Sequence, residues 1–108
     1  MANAFKGKYL DITSTAQTIY TVPASTEAVI NSIRITNIDG TNADAITCDV
    51  IDAVSGNSRI AYTINVPADS SLELIENKIF LEAGDYIQLQ GNQASGYLEA
   101  YLSVLEIS

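Results

Sequence analysis

The sequence contains no histidine and no tryptophan, one cysteine, two prolines, and only five lysines and arginines together. Each shortage excludes something. Without imidazole there is no Ser-His-Asp triad and no histidine-ligated metal. A single thiol, Cys48, cannot close an intrachain disulfide, and without a second cysteine or a histidine it cannot build structural zinc. Thirteen acidic residues against five basic ones leave a net charge of −8 and a pI near 4.1. Such a surface repels nucleic-acid phosphates and anionic lipid, so neither nucleic acid nor membrane is an expected partner. No apolar run reaches membrane-spanning length, and Met1-Ala-Asn-Ala-Phe-Lys6 has no apolar core of a secretory signal. Folding in a reducing cytoplasm is the expectation.

What is present is alternation. The chain has 108 residues, 47% of them hydrophobic and 17% charged, which suits one packed domain. Short runs rich in Ile, Val, Thr and Tyr alternate inward and outward positions and stop at turn residues. They read as strands over 9–12, 17–22, 27–37, 45–53, 59–66, 71–75, 77–81, 86–90 and 97–107. Phe80-Leu-Glu-Ala-Gly-Asp-Tyr-Ile-Gln-Leu-Gln-Gly91 reads as a hairpin. In it Gly84 takes a positive φ, Asp85 bonds back to nearby backbone, and Ile87 and Leu89 point inward. In 27–37 the inward phase changes near Asn31, predicting a bulge. In 59–66 the alternation places Ile60, Tyr62, Ile64 and Val66 inward. Leu105 and Ile107 depart from the phase of Leu98 to Val104, predicting a second bulge near the end. Thr21-Val-Pro-Ala-Ser25 and Asn65-Val-Pro-Ala-Asp69 each close a strand and open a turn, marking corresponding corners of two sheets. No stretch keeps helical spacing. The expected fold is an all-β antiparallel β-sandwich of about eight strands, Ig-like or jelly-roll-like. Residues 1–8, without periodic pattern, are expected as an N-terminal extended arm before a single domain over 9–108.

The candidates for chemistry are few. The loop Asp39-Gly-Thr-Asn-Ala-Asp44, with Asp49 and Asp52 beyond it, offers oxygen ligands but lacks the order of an EF-hand and its terminal glutamate, so turn chemistry is the reading and no metal is expected. Glu73, Glu76, Glu82, Glu99 and Glu106 fall on separate strands or turns, not as a pair facing across a sugar cleft. No acid, base or nucleophile constellation can be named, so no enzymatic activity, catalytic residue or cofactor is expected. Contact residues are easier to name. Phe5, with Lys6 and Lys8 just after it, belongs either to a frayed end or to an arm docking on a neighbouring subunit, with Phe5 the anchor. Tyr86, Tyr97 and Tyr101 fall on outward positions of their strands. There they serve as cross-strand packing, as protein-interface anchors, or as stacking platforms for a sugar.

The run Ile19-Tyr-Thr-Val-Pro-Ala-Ser-Thr-Glu-Ala-Val-Ile-Asn-Ser-Ile33 resembles the opening motif of small β-sandwich proteins of tailed bacteriophages. The resemblance continues at Val66-Pro-Ala-Asp-Ser-Ser-Leu72, at Leu81-Glu-Ala-Gly-Asp-Tyr-Ile87 and at Ser103-Val-Leu-Glu-Ile107, and covers residues 19–108. It implies a structural virion protein. The foremost implication is a capsid decoration (cement) protein, made in the host cytoplasm, bound to the outer capsid surface and stabilising it. Its partner would then be the major capsid protein, and symmetry favours a homo-oligomer, a trimer at local three-fold positions. The alternative is a neck, tail or fibre component, or a carbohydrate-binding module for host attachment. The motifs are turn and core residues, so they imply a fold and a setting but no active site.

Overall fold

The computed structural model describes residues 3–52, 54–93 and 96–108. Nine strands are found there and no helix: β1 (Asn3–Ile12), β2 (Gln17–Thr21), β3 (Glu27–Asn37), β4 (Asp44–Asp52), β5 (Gly56–Val66), β6 (Ser71–Glu73), β7 (Ile79–Leu81), β8 (Tyr86–Gln90) and β9 (Leu98–Ile107). They form two antiparallel sheets. The five-stranded sheet runs β1-β9-β3-β6, with β7 also on β3, and the four-stranded sheet runs β2-β8-β4-β5. Because β6 and β7 share one side of β3, they fill one strand position between them. That leaves the expected eight positions.

The pairing decides between the two expected topologies. Partners nest from Asn3↔Ile107 through Gln17↔Leu89 and Ile35↔Leu72 to Ile46↔Ile64 and Asp52↔Gly56, as in one long hairpin rolled upon itself. Rolling a hairpin sends successive strands to alternate sheets, which is the jelly-roll arrangement. The two Val-Pro-Ala corners perform that transfer. Each follows an edge strand of the four-stranded sheet, buries its valine (Val22, Val66), and turns at a left-handed residue, Ser25 with φ 58° and Asp69 with φ 57°. Asn37 pins the second corner from within: its amide donates to the carbonyls of Val66 at 3.0 Å and Asn42 at 2.9 Å.

The inner faces meet in an aliphatic core. Ile12, Ile30, Ile33, Ile35, Leu98 and Leu102 of one sheet close on Ile46, Ile87 and Leu89 of the other, all with no exposed surface. Each such side chain contributes about 1.5–3 kcal/mol by leaving water. Cys48 lies among them, its thiol pKa pushed up to about 12 by burial and then by the charge of Asp49. This is an inert thiol, as its alternating position predicts.

Several expectations change. The segment around Gly84 keeps the turn predicted for it: Gly84 has φ 90°, Asp85 N donates to Glu82 O at 3.0 Å, and Asp85 Oδ2 accepts from Glu82 N at 2.9 Å. It is no hairpin, however. β7 pairs with β3 and β8 with β2 and β4, so the turn crosses between sheets and docks on Val22 instead. The bulge near Asn31 is found, between Ile30 and Ser32. The second predicted bulge is not. β9 keeps its phase to Ile107, and its inward residue after Val104 is Glu106, a buried carboxylate that looks like a change of phase in the sequence. β5 carries the register shifts that the sequence did not predict. Shifts between Ile46 and Cys48 and between Cys48 and Asp49 leave Thr63 (φ 48°) and Ile60 as extra residues. Ala61 therefore points inward, while Tyr62 and Ile64, expected in the core, are 62% and 43% exposed.

The N-terminal segment also differs. Among the described residues, Asn3–Lys8 are no separate arm but the first part of β1, paired from Asn3↔Ile107 to Lys8↔Leu102 without a break. Lys6, Gly7 and Lys8 conceal the strand because none of them marks an apolar face. Two expectations reach beyond the described residues: the arm at Met1 and Ala2, and the fourth strand at Ala53.

Candidate functional site

On the five-stranded sheet, Ala28, Ile30, Ile33, Ile35, Leu98, Ala100, Leu102 and Val104 point inward. The intervening residues of β9 and their partners therefore form the outer face, in rows set by the register. One row is wholly apolar: Phe5 on β1, Leu105 on β9, Val29 on β3 and Phe80 on β7 are successive cross-strand neighbours. Phe5 is 79% and Phe80 58% exposed, at the two ends of the row. Next along the strands comes a small row, Gly7, Ser103 and Ser32. Beyond it lie Tyr9, Tyr101, Arg34 and Glu73, and then Asp11, Glu99, Thr36 and Ser71.

The tyrosine row is built around a missing side chain. The Tyr101 ring leans across β1 onto Gly7, where a Cβ would collide with Tyr101 Oη and approach Cζ to 2.9 Å. Tyr9 packs against the same ring, centroids 5.0 Å apart and planes tilted by 50°. A cleft of about 260 Å³ opens beside this pair, with Arg34, Thr36, Asp11 and Glu99 on its walls. Glu73, at the far end of the row, is engaged elsewhere. Its carboxylate accepts from Ser32 Oγ at 2.6 Å and from Ile33 N at 2.8 Å, patching β3 where β6 leaves it.

The residues named from the sequence do not form one surface. Phe5 and Tyr101 share this outer face. Lys6 and Lys8, expected beside Phe5, lie on the opposite side of β1, opposite the inward Val104 and Leu102. Lys6 Nζ sits 2.9 Å from Glu106 Oε1, and Tyr20 Oη donates to Glu106 Oε2 at 2.6 Å. The hydrogen bond from Tyr20, and next that from Lys6, hold the Glu106 carboxyl below its ordinary range. Burial, and then Glu106, push the Tyr20 hydroxyl pKa up. This triad ties the two sheets together beneath the apolar row. Tyr86 belongs to the other sheet, a half-buried neighbour of Thr21 and Ile51. Tyr97 precedes β9, half-buried, its carbonyl accepting from Ile38 N at 2.8 Å. Phe80, Tyr9 and Arg34 were missed. Tyr9 was legible, since its outward place follows from Leu10 and Ile12 pointing inward.

Acidic groups gather at one end of the sandwich, though not where the sequence placed them. Asp39 Oδ1 accepts from Thr41 N and Asn42 N, both at 2.7 Å, and these backbone bonds lower its pKa. Asp49 pairs with Arg59 at 3.0 Å. Asp52 instead approaches Glu82 and Asp85, one carboxylate oxygen of each lying within 4.8 Å of the others. That oxygen-rich set is of a kind that binds hard divalent cations. Two of its members are already fixed by turns: Asp52 Oδ1 accepts from Val54 N at 2.8 Å and Ser55 N at 3.0 Å, and Asp85 from Glu82 N.

No protein-family model matches the chain, and no curated protein matches it. Solved structures similar to it include the following two. One is a chain from Bacillus endospore appendages, described as a novel family of disulfide-linked pili (TM-score 0.56, 17% identity, covering 99% of this chain and 87% of that one). The other is a pentameric capsid protein from metagenomic phage sequences (TM-score 0.43, 18% identity, covering 92% of this chain and 60% of that one). At 17% identity, the likeness to the pilus chain is one of fold.

Proposed function

We propose that this protein is a non-catalytic structural component of an assembled particle, a decoration protein bound to the outer surface of a phage head. The observation that carries this reading is the apolar row Phe5-Leu105-Val29-Phe80 across the full width of one sheet, its phenylalanines exposed and its middle half-buried. Scattered exposed hydrophobics are ordinary, but a contiguous row is a contact surface in search of a partner. The resemblance over residues 19–108 supplies the setting, and a pilus chain of the same fold is a second case of this architecture in an assembly. A net charge of −8 favours the outside of the head over its DNA-filled interior.

In this reading the work is mechanical. The row lies against the major capsid protein with its phenylalanines as anchors, and added contacts between capsid subunits resist internal pressure. Copies cluster as a homo-oligomer, a trimer at local three-fold positions. Quantitative mass spectrometry of purified virions tests it. A copy number of the same order as the major capsid protein supports decoration; a handful per particle moves the protein to neck, tail or fibre; absence from virions ends the proposal.

A further inference from the structure

The geometry points to a carbohydrate-binding cleft at Tyr9, Tyr101 and Arg34 that takes one neutral pyranose ring. The apolar row and this cleft occupy the same outer face but differ in chemistry. At the cleft two tyrosine rings, 5.0 Å apart and tilted by 50°, form an open trough instead of a closed stack. A guanidinium, two carboxylates and a hydroxyl surround it, from Arg34, Asp11, Glu99 and Thr36. Among the described residues Arg34, Asp11 and Glu99 take part in no ion pair, so their donors and acceptors are available to a ligand.

That combination selects its ligand by elimination. An anion would meet Asp11 and Glu99, and a quaternary ammonium, otherwise suited to tyrosines, would meet Arg34. A pyranose satisfies all of them. Its face of C–H groups lies on an aromatic ring, and its rim hydroxyls both donate to carboxylates and accept from a guanidinium. The volume of about 260 Å³ fits one ring and falls below the range of drug-sized pockets, which begins at about 300 Å³. The site is also preorganised. Tyr101 rests in the space left by Gly7, so its ring is held on the sheet before any ligand arrives.

This inference is independent of the particle assignment, because binding is read on the isolated full-length chain. Saturation-transfer NMR with the methyl glycosides of glucose, galactose, mannose and N-acetylglucosamine tests it. Transfer to the ring protons of at least one sugar is expected. Tyr101→Ala and Arg34→Met should each weaken that binding by about tenfold or more, and Phe5→Ala should leave it unchanged. Should Tyr101→Ala lose its dispersed amide spectrum, Gly7→Ala does the same work by displacing the ring from above the strand. No transfer to any of the four sugars overturns the inference. So does binding that survives both Tyr101→Ala and Gly7→Ala, or shifts at the cleft produced by a proline-rich peptide and by no sugar. In each of those cases the copy number in virions still stands as the separate test of the particle role.

Discussion

The two outer faces of this sandwich enclose the same aliphatic core and share little else. On the five-stranded sheet the outward positions run Phe5, Leu105, Val29, Phe80 and then Tyr9, Tyr101, Arg34. On the four-stranded sheet they run Thr21, Tyr86 and the buried Ile51, then Thr18, Gln88 and Asp49 paired with Arg59, then Gln90 and Thr47. Its edge strand β5 is interrupted by register shifts and a left-handed threonine, and its exposed Tyr62 is covered on one side by Arg59, 4.5 Å from the ring centroid. That is how an edge is blunted against unwanted pairing. β1, at the edge of the other sheet, has an unbroken ladder to β9. Folding demands apolar residues inside and is indifferent to most of those outside. A polar, interrupted face opposite a regular, apolar one therefore indicates which side meets a partner.

The largest effect should come from removing that asymmetry. Phe5→Asp combined with Phe80→Asp places charge at both ends of the apolar row. Attachment to particles should fall by about a hundredfold or more, since each buried aromatic anchor contributes about 2 kcal/mol or more. Gln88→Asp on the opposite face should leave occupancy within about twofold. Sedimentation of virions with each variant measures both. Loss of attachment from Gln88→Asp alone would exchange the roles of the faces.

A smaller effect is expected from the link between the sheets. Tyr20→Phe leaves part of the buried Glu106 carboxylate without its donor and should lower unfolding stability by about 1–3 kcal/mol in denaturant titration. Particle attachment should be unchanged, because neither group reaches the outer face. The bond, together with the burial of Tyr20, sets a pH dependence at both ends. Glu106 has a lowered pKa in the fold, so its contribution is present above the ordinary value of 4.5 and is lost as pH falls through the depressed one. Tyr20 has a raised pKa, so its contribution is present below the ordinary value of 10.0 and declines as pH rises beyond it. Both limbs should flatten in Tyr20→Phe. The smallest effect belongs to the exposed Arg59–Asp49 pair, screened by solvent: Arg59→Ala should barely move the thermal midpoint, and less than Tyr20→Phe does.

Much of the fold was legible because the residues that encode it act locally. Gly84 and Asp85 specify their turn, the phase change in β3 locates the bulge near Asn31, and the repeated Val-Pro-Ala marks two corners with a left-handed residue at the same place, Ser25 and Asp69. What escaped depends on residues distant in sequence. Glu106 occupies an inward position only because Lys6 and Tyr20 come to it from the other end of the chain. The inward register of β5 is set by β4 through its bulges, so the alternation of 59–66 puts Tyr62 on the wrong side. The outer surface was half visible. Alternation names Tyr101 as outward and carries the signal for Tyr9, but Phe5 lies where the sequence shows no period, and nothing local aligns it with Leu105, Val29 and Phe80, which meet through three separate ladders.

Site-specific photo-crosslinking within the assembled particle reads that alignment most directly. A photo-reactive phenylalanine analogue placed at Phe80, and in a separate variant at Tyr62, reports what each face touches. A covalent adduct to a particle protein from position 80 and none from position 62 is the predicted result. Adducts from position 62 with silence at position 80 would contradict the assignment of the contact face.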